Sequence, residues 1–255
     1  MSLQDYINDT RLQLRDLQGL FVPQQTLIRY INEARNKVAE HTGCIRRLIY
    51  GKSPYGVSAT PGYAVPGQAV PGTQFTNAFT TLTGLEKYSY DYANQFLRPL
   101  YQGVQGIMDV VEVAVSWGSC RPALSWMPWE DLQAYARSYN VGIQEFPSVW
   151  STYSEGEFGE VWLFPVPSQS GVPSGEMEWD CFCWPSPLNT NDDFDAIPMP
   201  FRSAVKYYAA YLAQEGAQRP GLADRMLQRF NETLGVSRVS VDRGKTSNFY
   251  WNTGT

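Results

Sequence analysis

The chain is short of charge, of histidine and of cysteine, and each shortage closes off a class of function. Only 18 % of its 255 residues are charged, below the roughly 25 % of ordinary soluble domains. A surface so thinly charged implies that neighbouring chains cover much of it. The net charge of −5 argues against coating duplex DNA, which needs basic patches to neutralise phosphates. The one histidine, His41, falls in the last turn of an expected helix, where a His commonly serves the helix dipole. No Gly-x-Ser-x-Gly nucleophile motif accompanies it. Cys44, Cys120, Cys181 and Cys183 are few and spaced unlike a disulfide framework. Residues 1–20 carry Asp5, Arg11, Arg15 and Asp16 and show no apolar core of a signal peptide. No run approaches the ~18 apolar residues that suggest a membrane helix. The expectation is a cytosolic chain.

Hydrophobic residues are plentiful at 43 %, aromatics at 14 %, and their spacing divides the chain. Ser2 and Asp5 form a variant capping box, and Leu3, Ile7, Thr10, Leu14 and Leu17 then trace one helical stripe that Gly19 closes. Pro23 opens a second helix as its first residue, with Leu27, Ile31, Ala34 and Val38 on its apolar face and Gly43 at its end. Near the C-terminus, Phe201, Val205, Tyr208, Ala209 and Leu212 share a face, and Leu222, Met226, Leu227, Phe230 and Leu234 mark a fourth helix ending at Gly235. Two helical hairpins predict an antiparallel four-helix bundle built from residues 1–50 and 188–235.

Between the hairpins the texture changes. Residues 51–84 are rich in Gly and Pro and include the near-repeat Ala64-Val-Pro-Gly-Gln-Ala-Val-Pro-Gly72, which reads as an extended arm or loop. Residues 85–187 read as a β-rich insertion. Val111, Val113, Val115 and Trp117 alternate onto one face, Phe158–Phe164 and Glu176–Trp184 alternate likewise, and 129–139 reads as a short helix. The expected class is therefore α+β, with a helical bundle, a β-rich insertion, an extended loop and a C-terminal arm over 236–255.

The search for chemistry is mostly negative. Gly51-Lys52-Ser53 and Gly244-Lys245-Thr246 resemble fragments of a phosphate loop, but Arg46 and Val239 occupy the positions of the required leading glycine. A calcium loop counted from Asn189 through Asp193 and Asp195 has Phe194 where glycine is needed and ends on Pro200. The cluster Asp192, Asp193 and Asp195 reads as an exposed loop leading into a helix. Cys181 and Cys183 alternate along a strand as small apolar fillers, with no companion pair at zinc spacing. Glu155, Glu157 and Glu160 would be the carboxylates of a glycosidase, although solvated acids beside Gly156 and Gly159 are the ordinary case. No cofactor is expected. Seven tryptophans lie in the insertion; Trp126, Trp129 and Trp150 are candidates to face a neighbouring subunit or a tail protein. A tryptophan-rich surface of this kind also suits a carbohydrate- or receptor-binding module.

Assembled, the chain resembles the head–tail adaptor (connector) proteins of short-tailed bacteriophages. The resemblance is carried by Leu27-Ile-Arg-Tyr-Ile-Asn-Glu-Ala-Arg35 leading to Thr42-Gly-Cys44, by Phe146-Pro-Ser-Val-Trp-Ser-Thr-Tyr153, by Gly159-Glu-Val-Trp-Leu-Phe-Pro-Val-Pro167 with Glu178-Trp-Asp-Cys181, and by Asp195-Ala-Ile-Pro-Met-Pro-Phe201 running into Ala204–Ala213. It implies a homo-oligomeric ring, twelvefold in the family, between the portal protein and the tail nozzle or tube. Genomic DNA would pass through that ring without specific binding, and no membrane or catalytic residue is involved. The implied location is the virion, with assembly in the host cytoplasm. The arm 236–255 then reads as a portal-docking tail, with Arg238, Arg243 and Lys245 for steering. Val239 and Val241 would add to a sheet edge, and Phe249, Tyr250 and Trp251 would act as anchors.

Overall fold

A computed structural model describes residues 2–16, 18–50, 79–82, 84–116, 122–138, 146–154, 158–167 and 176–242, the side chains of 238–242 excepted. Most of the Gly/Pro-rich stretch, Trp117, Cys120, Glu155, Glu157 and everything after Asp242 lie outside the described residues. Residues up to Ile45 and from Trp184 onward form one compact unit, and Arg46–Cys183 form a second.

The first unit holds α1 (Leu3–Leu14), α2 (Gln24–Thr42), α5 (Met199–Gly216) and α6 (Pro220–Asp242). Ser2 caps α1 as the sequence suggests: its hydroxyl accepts from the Asp5 N–H, and the Asp5 carboxylate accepts from the Ser2 N–H at 2.8 Å. The helix ends earlier than Gly19. Arg15 takes the left-handed conformation at φ 58°, and Asp16 folds the following turn by accepting from the N–H groups of Leu20, Phe21 and Val22. Pro23 is the N-cap of α2 rather than its first residue, and Gly43 at φ 57° ends that helix.

The expected antiparallel four-helix bundle does not form. Among the described residues there are six helices and two sheets, and in the helical unit α1, α2 and α6 each lie against α5. The reason is the distribution of burial around each axis. At about 100° per residue, Phe201, Ala204, Val205, Ala209, Ala210, Ala213 and Gln214 of α5 are buried on every side. A helix buried all round is an interior helix. By contrast Leu3, Tyr6, Ile7 and Thr10 of α1 form a single stripe, as do Ala223, Phe230, Leu234 and Ser237 of α6. The small side chains of α5 let three neighbours approach one axis. Nor does α6 stop at Gly235: it continues to Asp242, so the first seven residues of the expected arm are helical.

The second unit contains β1 (Arg46–Tyr50), β2 (Lys87–Ser89), α3 (Tyr90–Leu100), β3 (Val104–Ser116), β4 (Ser125–Trp126), α4 (Trp129–Ser138), β5 (Val149–Tyr153) and β6 (Glu160–Phe164), with β7 (Glu176–Pro185) running to its border. One sheet has the order β1-β7-β3 and the other β2-β6-β5-β4. The two strands foreseen at Phe158–Phe164 and Glu176–Trp184 thus belong to different sheets. Strict alternation describes β7, where Met177, Trp179, Cys181 and Cys183 are all buried. It fails in β3, where Val113 and Val115 are buried but Val111 is 39 % exposed.

Helix α3 is capped by Ser89, whose hydroxyl accepts from the Tyr92 N–H at 3.2 Å. Its buried Tyr90, Ala93, Asn94 and Leu97 make one face, and Asn94 Oδ1 accepts from the Ile107 N–H at 2.9 Å to fix the helix on β3. Phe79 meets Trp179 edge to face at 5.1 Å and the Phe96 ring at 5.1 Å. At Gly159 the carbonyl accepts from the Tyr90 N–H at 2.8 Å, and an added Cβ would come within 2.2 Å of the buried Tyr90 ring. Gly159→Ala is therefore expected to destabilise the protein by roughly 1–3 kcal/mol, the usual cost of overpacking. Urea unfolding followed by tryptophan fluorescence would measure it, and an unchanged midpoint would show that the Tyr90 ring moves aside freely.

Candidate assembly site

The most constrained polar arrangement lies inside the helical unit. Arg35 projects from α2 and Asp195 from the loop before α5, with side chains 1 % and 2 % exposed. The guanidinium reaches Asp195 Oδ1 from Nη2 at 3.1 Å and from Nε at 3.3 Å, and Nη1 donates to the Ser186 carbonyl at 2.7 Å and to Asn32 Oδ1 at 3.2 Å. Tyr6 of α1 donates its hydroxyl to Asp195 Oδ2 at 2.8 Å, and Arg202 of α5 stands 3.3 Å from the same oxygen. Asn32 exchanges two hydrogen bonds with the backbone of Leu188. Three helices and the 186–198 segment are thus joined at one carboxylate. Burial pulls the Arg35 guanidinium below its ordinary value, with Asp195 opposing. Burial, with the Asp195 charge adding to it, raises the Tyr6 phenol, which stays protonated and donating.

The other residues singled out for chemistry are engaged structurally. Asp195 is not in an exposed loop, as expected, but is 6 % exposed as a residue and paired. Asp193 folds the preceding turn by accepting from the N–H groups of Asn189 at 2.6 Å and Thr190 at 2.7 Å. Among the described residues, no group of three or more His, Cys, Asp and Glu is disposed to hold a metal ion. His41 meets the Phe230 ring edge to face at 6.2 Å. Burial pushes the Cys183 thiol up to about 12 and raises the Cys181 thiol well above its ordinary value, which favours the protonated thiol at both. Glu160 accepts from the Trp162 indole N–H at 3.2 Å and stands 3.7 Å from the Lys87 ammonium.

Aromatic surface gathers on the second unit. Trp129, at the start of α4, is half-buried and lies 4.9 Å from the Tyr153 ring and 4.8 Å from the Trp162 ring. Lys87 sits over Trp162, 5.8 Å from its centroid. Tyr153 is 50 % exposed and Trp126 59 %. Trp150, on the neighbouring strand to Trp126, is only 2 % exposed, so it is a core side chain and not a surface anchor. Of the expected docking tail, Arg238, Val239 and Val241 fall on α6, while Arg243, Lys245, Phe249, Tyr250 and Trp251 lie outside the described residues.

Sequence reasoning missed Arg35, Tyr6 and Arg202. The signal was present: Arg35 directly follows Ala34 on the buried face of α2, and a charge on an apolar stripe demands a partner.

The helical unit spends its buried polar groups on tying helices together, and the second unit exposes aromatic side chains of the kind that serve contact with other chains. The sequence profile of the SU10 adaptor protein family matches residues 1–249, and the chain belongs to that family. This makes it a bacteriophage adaptor of the head–tail class, a structural virion component that associates with other phage head and tail proteins. Among curated proteins none matches the chain. No helix among the described residues is long and apolar enough to cross a membrane.

Asp195→Asn strands the buried guanidinium of Arg35 and is expected to cost about 3–5 kcal/mol, read from urea unfolding. Replacing both Arg35 and Asp195 by Leu, with Tyr6→Phe to remove the buried hydroxyl that would lose its acceptor, should recover much of that loss. If this combined variant is no more stable than Asp195→Asn, the ion pair is not the source of the cost.

A second expectation concerns acid. Backbone N–H bonds hold the Asp193 carboxyl below its ordinary 3.8. At Asp16 burial pushes upward, but three backbone N–H bonds outweigh it and lower that carboxyl too. A carboxyl lowered in the native state stabilises fully above its ordinary value and loses that contribution as pH falls through its native one. Between about pH 4 and 2, Asp16→Asn should lose less stability than the parent. Parallel acid-unfolding curves would count against this.

Proposed function

We propose that this adaptor assembles into a closed ring that joins the portal protein to the tail nozzle or tube and continues the channel for DNA. The supporting observation is family membership over nearly the whole chain together with aromatic surface at the exposed Trp126 and Tyr153 and the half-buried Trp129. A subunit in a ring has two interfaces, each of roughly 1,600 Å² in total if of standard size. An aromatic patch set in a chain with only 18 % charged residues suits that demand. A net charge of −5 suits a wall that lets DNA slide past without holding it. In this reading the protein carries no catalytic residue or cofactor, is twelvefold by resemblance to its family, and assembles in the host cytoplasm.

The C-terminal segment keeps its proposed role as a portal-docking tail, in altered form. Arg238, Val239 and Val241 would extend α6 toward the partner, and Arg243, Lys245, Phe249, Tyr250 and Trp251 would follow as the contact itself. The tryptophan-rich surface also leaves the carbohydrate-binding reading as a rival, and the two separate experimentally. Trp126→Ala with Trp129→Ala should leave the unfolding midpoint nearly unchanged for Trp126 and modestly lower for the pair. It should weaken assembly on portal rings by about 2 kcal/mol or more, the scale of interface hot spots. Electron microscopy of portal mixed with the adaptor would count decorated rings. Truncation after Asp242, which leaves α6 whole, should also reduce decoration. Undiminished decoration in both variants would reject the reading, and glycan binding lost in the tryptophan variant would favour the rival.

A further inference from the structure

Within the helical unit, the C-terminal end of α1 and one flank of α6 enclose a groove of about 720 Å³. We propose that this groove is a docking site for an acidic amphipathic helix of a partner protein.

The lining is mixed and open to solvent, with Leu12, Leu14, Leu222 and Met226 set among glutamines and arginines. Leu12 is 60 % exposed, Leu222 is 41 % exposed, and Met226 lies between them in the groove lining. A leucine so exposed near the end of a helix gains nothing from folding alone. Leu222, Met226 and Arg229 follow one another at helical spacing to Glu232, which gives about 15 Å of continuous wall at ~1.5 Å per residue. That length matches about three turns of a partner helix, the mode in which an apolar face lies in a hydrophobic groove.

The rim supplies the sign of the partner. Arg15, Arg225 and Arg229 line the groove, and none has an ion pair among the described residues. The single acid there, Glu232, already accepts from the Gln228 side chain at 2.9 Å. Three guanidiniums without an ion pair among the described residues, in a chain of net charge −5, are a local excess that carboxylates would neutralise. A nucleic-acid backbone would satisfy the arginines but leave Leu12, Leu222 and Met226 without use; an amphipathic helix uses both.

The inference needs only that an adaptor has protein partners, and it stands or falls separately from the ring and portal. The test uses the full chain and a fluorescently labelled peptide of about eighteen residues, with Leu on one helical face and Glu on its borders, read by anisotropy. Saturable binding is expected. It should weaken about tenfold or more in Arg225→Glu/Arg229→Glu, and similarly in Leu12→Asp, the effect of losing one good anchor. All substituted positions are exposed, and unchanged circular dichroism would verify folding. A peptide with Lys for Glu should bind about tenfold more weakly, as electrostatic mismatch requires. Absence of saturable binding, or equal binding of the Lys peptide, overturns the proposal. So does tighter binding of a DNA oligonucleotide that the arginine variant loses. Concentration-dependent self-association in sedimentation, abolished by the same variant, would replace the partner helix by a second copy of this chain.

Discussion

The helical unit is organised around a charge that has nowhere to go. Arg35 carries its guanidinium into the interior from α2, and Asp195, Ser186 and Asn32 meet it there. Asp195 in turn draws in Tyr6 from α1 and Arg202 from α5. Dispersion between Ala-rich faces would let α5 slide or rotate against its neighbours at little cost. A planar guanidinium with fixed donors does not. Because a buried pair gains little net stability over an apolar substitute, its main effect is on register. It sets which turn of α2 faces the entry to α5, and the rest of the packing follows from that alignment.

Helical content was legible wherever an apolar stripe recurred at helical spacing. The box at Ser2 and Asp5, the Gly43 stop and the stripes of α2, α5 and α6 could all be read directly. Arrangement was not. A stripe records that one face is buried, and the eye pairs stripes into a bundle; the all-round burial of α5 is hidden because alanine weighs little in any hydrophobic pattern. Helix α3 was lost for a different reason. Tyr90, Tyr92, Asn94, Phe96 and Pro99 are poor helix formers, and only Ser89 as cap and the spacing of Tyr90, Ala93 and Leu97 betrayed it. Gly235 misled in the opposite direction, since contacts of Leu234 and Ser237 carry α6 straight through it.

The site was legible in its kind more than in its members. Trp126 presents surface and Trp150, its register partner one strand away, does not, because β4 is the edge of its sheet while β5 lies between β4 and β6. Period-two patterning fixes the alternation and leaves open which face meets solvent. The acidic run 192–195 shows the same ambiguity at a shorter scale. Asp193 turns outward to hold its own loop and Asp195 turns inward to Arg35, and nothing local distinguishes two aspartates two residues apart. Their difference lies about 160 residues away in sequence, beyond the reach of any window.

That separation bears on the order in which the chain folds. The polypeptide leaves the helical unit after Ile45 and returns at Trp184, and closing so long an excursion costs on the order of 4 kcal/mol in chain entropy. Within the second unit, however, Arg46 and Phe182 are opposed partners on β1 and β7. Once those strands pair, the two ends of the excursion are neighbours, and the remaining loop is short. During synthesis α1 and α2 emerge long before Asp195 exists, with Arg35 still hydrated. The pairing of β1 with β7 turns a distant encounter into a local one, so the helical unit closes at a lower cost in chain entropy once a strand pair outside it has formed.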